Sequence, residues 1–329
     1  MIRNLTVFLY ALFRLLYSVV FVNYVFYRKR LHRAVKNIYQ QKQLPFDPSY
    51  FRRIFFHTLL GSITNEWFTT LRGRRQTTQE SRAGFYLGAA TAVFDDLFDR
   101  LDFTSKESIE DLAQGHYKYD SIAERLSKLF YDGLLDNLSE PNCFQSYLQK
   151  VGHFQEESKK QLGIKLSTAA LRQITFEKGG YSLGLYRSIL GHPYPEPEKK
   201  AVYNLGRLVQ LTDDVFDLRI DHLEKIQTLA TTSKDIRLLR EEYFQLARES
   251  YQEFQQLDYP PKQVRRFWAE VMIILSRGMV CLDQLVRVQQ EHGDEFMIHQ
   301  YGRAELVCDM ERPINLLRSF WYCLSWKYD

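Results

Sequence analysis

The sequence predicts an all-α protein, and three observations predict it. Proline and glycine are sparse, 9 and 16 in 329 residues, so long stretches are free of helix breakers. Apolar residues recur at helical spacing over most of the chain. Two acidic clusters sit inside such runs with carboxylates at i, i+1 and i+4: Asp95, Asp96 and Asp99, then Asp213, Asp214 and Asp217. On a helix, i and i+4 share a face.

Residues 5–27 are strongly apolar, with Arg14 their one charged residue, and are long enough to span a bilayer. No small-residue cleavage site accompanies them, so no secretory signal is expected. Thr6, Tyr10, Arg14 and Ser18 form a polar stripe at four-residue steps. An arginine at a bilayer centre costs about 2.5–3.5 kcal/mol on insertion scales. A helix packed on the core or lying on a membrane surface is therefore expected over a span. The run from Arg28 to Arg33 is basic and faces either anionic headgroups or solvent. The predicted division is an N-terminal apolar and basic segment over 1–45 and a helical domain over 46–329.

Pro45 and Pro48 mark a connector. A helix follows from Ser49 to Leu71, broken by Arg72-Gly73-Arg74-Arg75, a charged loop with phosphate contact as the alternative. Thr77 to Asp102 is a long helix that presents Ala83, Leu87, Ala90, Val93 and Leu97 on one face. It delivers the first Asp cluster near its end. Thr104-Ser105-Lys106-Glu107 resembles a capping box for the next helix. Asp120 to Leu162 reads as two or three helices, interrupted at Ser139 to Asn142. Leu166 to Leu190 is another, with Gly179-Gly180 inside it. Paired glycines cost a helix about 2 kcal/mol against alanine. They serve either close helix packing or a break that turns backbone toward a pocket. His192 to Pro197 is a turn. Lys199 to Leu223 brings in the second cluster, where Asp221 extends Asp213 and Asp217 to a carboxylate at every turn of one face. Helices over Thr231 to Leu257, Gln263 to Gln290 and Glu305 to Trp326 complete the set. The aromatic run Phe320-Trp321-Tyr322 is expected in the core.

Like charges this close repel, so each cluster opposes its own folding unless a cation sits there. All-oxygen ligands at this density suit Mg²⁺ shared with substrate phosphates. A single Asp pair is ordinarily a solvated acidic face. Two clusters of the same spacing, each flanked by Phe and by Leu or Val, point instead to metal ions and a diphosphate held between facing helices. Asp95, Asp99, Asp213, Asp217 and Asp221 are the expected metal ligands, and the first four are also expected to be catalytic. Asp96 and Asp214, about 100° around the helix from their neighbours, support them. Lys178, Arg100 and Arg219 are the expected diphosphate-binding cations. Phe94, Phe98 and Phe216 stand beside the clusters as candidate pocket aromatics.

Paired Asp-rich helical motifs resemble the class I terpene (isoprenoid) synthase superfamily, and here most of all the large bacterial terpene synthases of the tetraprenyl-β-curcumene synthase type. Those carry motifs like DYLDNLCDR and DYFIDQEED with a Lys-Gly-Gly segment between them. This chain has FDDLFDR from Phe94 to Arg100, EKGGYS from Glu177 to Ser182 and DDVFDLRID from Asp213 to Asp221, in the same order. It departs at Ala92, where the family has another Asp, and at Leu218-Arg219-Ile220, where the family is acidic. The resemblance rests on about 22 residues. It implies a class I terpenoid synthase-like helical bundle around a central apolar cavity, with a helix break at Gly179-Gly180. It implies a carbon–oxygen lyase that ionises and cyclises an allylic prenyl diphosphate and releases pyrophosphate. Its cofactor would be Mg²⁺, as three ions with diphosphate bound. The runner-up is a prenyltransferase of the chain-elongating or squalene/phytoene synthase type. Elongating enzymes show an Arg-Arg pair after the first motif, where this chain has Leu101-Asp102-Phe103-Thr104. The non-enzyme alternative is a helical protein that binds polyprenyl lipids.

Composition bounds the rest. Aromatic residues make up 15%, enough to line an apolar pocket. The net charge of +4 is too small to argue for nucleic acid. The four cysteines form no Cys-x-x-Cys pair and suggest reduced thiols in the cytoplasm. Peripheral membrane contact through the N-terminal segment and a homodimer are the further partner expectations. No Gly-rich nucleotide loop, Ser-His-Asp pattern or His-Glu-x-x-His occurs.

Overall fold

The structure, a computed structural model, describes residues 2–100, 121–163 and 165–328, with backbone alone at a few positions that include 98–100. It is all-helical, with thirteen α-helices and no strand among the described residues. The predicted capping box at Thr104 to Glu107 lies outside them.

Helix α1 (Ile2–Leu15) continues as a π-helical stretch, Leu16–Tyr27, into α2 (Arg28–Gln41). Residues 42–47 are the predicted connector, and α3 (Pro48–Leu71) follows. The Asp47 carboxylate accepts the amides of Ser49 and Tyr50 at 2.8 and 3.1 Å, and Pro48 fills a first-turn position that needs no donor. Helix α4 (Thr78–Arg100) opens on a reciprocal cap. The Glu80 amide donates to Thr77 Oγ1 at 3.1 Å, and the Thr77 amide donates to Glu80 Oε2 at 2.9 Å. Next come α5 (Ile122–Leu135), α6 (Pro141–Ser158), α7 (Thr168–Ser188) and α8 (Glu196–Phe216). The last five are α9 (Leu218–Glu224), α10 (Ile236–Gln255), α11 (Pro261–His292), α12 (Arg303–Leu306) and α13 (Pro313–Ser325).

The chain forms two compact units. The first unit is Phe13–Glu156 with Leu185–Tyr194; the second is Met1–Leu12, Glu157–Gly184 and Pro195–Asp329. In the first, Leu31, Val35 and Ile38 of α2 join Ile54, Phe85, Val93 and Phe130 in one core. Residues 13–45 of the predicted N-terminal segment thus belong to this unit. Helices α3 and α4 approach so closely that a Cβ on Gly61 would stand 1.8 Å from the Gly84 carbonyl oxygen. In the second unit, α8, α10 and α13 pack on α11, which buries Phe267, Trp268, Val271, Leu275 and Met279.

The basic loop after α3 is structural. Arg74 donates to Glu80 Oε2 at 2.7 Å and to His192 Nδ1 at 3.0 Å, while Arg72 reaches the Pro193 carbonyl at 2.7 Å. The Gly191 amide also donates to Glu80, at 3.1 Å. Burial alone would raise the Glu80 carboxyl, but contact with His192, Arg74 and the Thr77 amide holds it well below the usual range. Burial, aided by the charges of Arg187, Arg72 and Arg74, lowers His192 to about 4.

The run at Phe320 corrects the expectation of core. Trp321 is 61% exposed, and Ile314, Leu316 and Leu317 of α13 are exposed with it. Helix α13 turns Asn315 and Ser319 inward instead, where Ser319 meets Ser276 at 2.7 Å and Asn315 reaches the Asp309 carbonyl at 2.9 Å. Buried hydroxyl and amide groups find partners there that the sequence pattern does not display.

Candidate functional site: two acidic clusters

The first cluster belongs to the first unit. Asp95 and Asp96 lie near the end of α4 on different faces, as a 100° step requires. Asp95 stands at a small cavity of about 60 Å³, whose apolar wall includes Leu87, Phe94, Leu134, Phe144 and Leu148. That volume holds about two waters. Thr91, one turn before Asp95, meets the Tyr186 hydroxyl at 2.8 Å. Burial, with the charge of Asp95 added, raises the Tyr186 phenol above its ordinary range.

Asp96 points elsewhere. It is buried and ion-paired with Arg53 of α3, and Arg53 also reaches the Ala92 carbonyl at 3.2 Å. Its Oδ2 is buried without a hydrogen-bond partner. Arg53 gave no signal in the sequence, because its pairing spans two helices. Asp99 and Arg100 close α4 in the backbone, and their side chains lie outside the described residues.

The second cluster belongs to the second unit. The predicted single helix over Lys199 to Leu223 is two helices, α8 and α9, joined at Asp217. The four-residue register survives the joint. The Asp217 amide bonds the Asp213 carbonyl at 2.9 Å, and the Asp221 amide bonds the Asp217 carbonyl at 2.8 Å. Asp213 and Asp217 are exposed, Asp221 is half-buried and Asp214 is buried.

For Asp214, Asp217 and Asp221 the environment makes ionisation costly. Asp214 is pushed up to about 6, first by burial and then by Asp213, against hydrogen bonds from Gln210 and Thr175 and the charge of Lys178. Asp221 is pushed up to about 7, by burial and by Asp214, Asp217 and Asp213, with Lys178 opposing. Asp217 is raised by partial burial, Asp213 and Glu224. Among the described residues no three acidic, histidine or cysteine side chains already converge as a ligand set.

Helix α7 faces this cluster. Thr175 Oγ1 donates to Asp214 Oδ2 at 3.1 Å, and Lys178, one turn on, is close enough to act on Asp214 and Asp221. Gln210 Nε2 reaches Asp213 at 3.2 Å and Asp214 at 3.1 Å. Gln210 and Thr175 were missed in the sequence. Gln210 was findable, since it precedes Asp214 by four residues. Thr175 was findable only once Lys178 had been placed, three residues away. Arg207 was also missed; it stacks on Phe176 of α7 at 4.2 Å. Arg219 is half-buried in the first turn of α9.

The helix break expected at Gly179-Gly180 is absent, for α7 runs through both residues. The glycines serve close packing. A Cβ on Gly179 would lie 2.4 Å from the Gly206 carbonyl oxygen, and one on Gly180 would lie 2.3 Å from the Tyr203 ring. This approach of α7 to α8 is what brings Thr175 and Lys178 to the acidic cluster.

Comparison with protein-family models, with curated proteins and with solved structures finds no match to this chain.

Proposed function

We propose that the chain is a Mg²⁺-dependent synthase of the class I terpenoid type, which ionises an allylic prenyl diphosphate and cyclises the resulting cation with release of pyrophosphate. One observation carries this reading. Asp213, Asp214, Asp217 and Asp221 crowd one end of α8 and the start of α9, ionisation of Asp214, Asp217 and Asp221 is disfavoured there, and Lys178 stands beside them. An oxygen-only set that resists its own charge fits a hard divalent cation. In the second unit Asp213, Asp217 and Asp221 would hold metal; in the first unit Asp95 and Asp99 are the proposed ligands of the first motif. Bound Mg²⁺ supplies Lewis-acid neutralisation of the diphosphate leaving group.

The chain's own residues do the rest. Lys178 neutralises diphosphate charge, with Arg219 and Arg100 as the further cations. Thr175 and Gln210 orient Asp214. Leu87, Phe94, Phe144 and Leu148 keep the Asp95 cavity apolar, as a carbocation that must not meet water requires. That cavity by itself is too small for a long prenyl tail, so substrate length has to be read from products.

The experiment is incubation of the full chain with Mg²⁺ and prenyl diphosphates of increasing length, with pyrophosphate and hydrocarbons measured. Pyrophosphate with a cyclic hydrocarbon of unchanged carbon number is expected. A lengthened product identifies a prenyltransferase. Binding without pyrophosphate release identifies a polyprenyl-lipid binder and overturns the proposal.

A further inference from the structure

We propose that the first unit carries a face that embeds in the surface of an anionic bilayer, with residues 13–25 lying in the interface and the start of α2 on the headgroups. This stands apart from the diphosphate chemistry and rests on no acidic residue of either motif.

The first observation is an inverted helix. Asn4–Val22 has a mean hydropathy of 2.1 and is long and apolar enough to cross a membrane, yet only 22% of it is buried. Phe13 is 71% exposed, and Leu16, Tyr17, Val20, Phe21 and Tyr24 are each about half exposed. The Arg14–Ser18 end of the polar stripe faces inward. Arg14 donates to Glu66 Oε2 from Nε at 3.0 Å and from Nη2 at 2.6 Å. Ser18 is buried and accepts from Gln76 at 2.7 Å, and the same amide nitrogen donates to Glu66 Oε1 at 2.9 Å. In water the opposite orientation would be favoured, because apolar side chains gain most from burial. The outward residues recur in steps of four. Such a repeat drifts around an α-helix of about 3.6 residues per turn; the wider π turn over Leu16–Tyr27 keeps it in line.

The second observation is charge. No Asp or Glu precedes Asp47 in the sequence. Arg28, Lys29, Arg30, Arg33 and Lys36 are exposed on α2, directly after the apolar face. Tyr24 stands at the junction, with the Arg28 guanidinium 4.7 Å over its ring and bonded to its hydroxyl at 3.1 Å. Apolar residues, then tyrosine, then a basic band is the order of an interfacial anchor.

The third observation is a cleft of about 520 Å³ beside this face. Val20, Tyr24, Phe55 and Phe56 form its apolar part, and Arg28 and Arg52 its charged part. An acyl chain below a phosphate headgroup matches both. A second copy of the chain matches less well, since its apolar face would arrive with the same unbalanced cations. A transmembrane path would strip Arg14 from Glu66, so the segment lies along the surface.

The test uses the full chain and sedimenting vesicles of phosphatidylcholine with about a third phosphatidylglycerol. The protein is expected to sediment with them, less so at high salt and less with phosphatidylcholine alone. The double variant Phe13→Ser, Phe21→Ser should bind at least about tenfold more weakly. The triple variant Lys29→Gln, Arg30→Gln, Arg33→Gln should lose about tenfold on anionic vesicles and nothing on neutral ones. All five side chains are exposed, so melting temperatures should hold; the triple variant removes no apolar residue and carries the test if the double variant folds poorly. A wild type that stays in the supernatant, or variants that bind as it does, overturns the proposal. So does a solution dimer that the Phe13, Phe21 variant dissociates. Retention through alkaline carbonate extraction would make the segment a span and overturn it as well.

Discussion

Gly179 lies against the backbone of Gly206, so near that a Cβ on Gly179 would sit 2.4 Å from the Gly206 carbonyl oxygen. This contact sets the distance between α7 and α8, and with it the reach of Lys178 to Asp214 and Asp221. In an open helix Gly→Ala stabilises by about 1 kcal/mol. Here the methyl meets backbone that cannot swing away, so Gly179→Ala should destabilise by about 1–3 kcal/mol. Denaturant unfolding of the variant measures it. A stabilised variant would mean that α7 and α8 do not meet here.

Asp217→Asn removes one charge with little change of shape. It should lower turnover more than about a hundredfold, while thermal stability without metal stays level or rises, since repulsion from Asp213 is relieved. In the wild type, Mg²⁺ with pyrophosphate should raise the melting temperature by linkage, and Asp217→Asn and Asp99→Asn should lose most of that gain. Asp102→Asn, outside both motifs, is the control. If Asp99 and Asp217 variants match it, both clusters are solvated acidic faces.

The Glu80–Arg74–His192 contact makes the first unit sensitive to acid. His192 is neutral in the fold at about 4 and titrates near 6.5 when unfolded. Protonation therefore favours the unfolded chain. Stability is full above pH ~6.5 and falls as pH drops toward ~4, by about 2 kcal/mol after allowance for solvent screening. Glu80, with its carboxyl held low, adds a loss of the same sign below pH ~4.5. Urea unfolding across this range should show the slope, and His192→Gln should flatten its upper part.

Arg14 and Glu66 form a pair that is mostly removed from water. Arg14→Ala would leave Glu66 buried and unpaired and should cost about 3 kcal/mol. Arg14→Met with Glu66→Gln should cost clearly less than the two single changes added together. A double-mutant cycle with no coupling would place Arg14 in solvent.

Local chemistry was readable residue by residue. Pro45 and Pro48 announced the connector before α3, because proline geometry acts within a few residues. The i+4 spacing of Asp213, Asp217 and Asp221 held even across the joint at Asp217. Asp96 was not legible, since its partner Arg53 is on another helix. Gly179-Gly180 was ambiguous because a break and a close crossing call for the same residue.

What the sequence determined by itself was helical periodicity, and so two sides for each helix. It did not determine which side meets protein. Residues 5–27 display an apolar face and a stripe through Arg14 and Ser18, and hydrophobicity alone would turn the stripe outward. The fold turns it inward, because Glu66 of α3 and Gln76 of the loop after it bring partners for those groups. Helix α13 repeats the point with Asn315 and Ser319 inside and Trp321 outside. A buried polar group is tolerated wherever the tertiary structure supplies its hydrogen bonds, and that supply comes from residues distant in the chain.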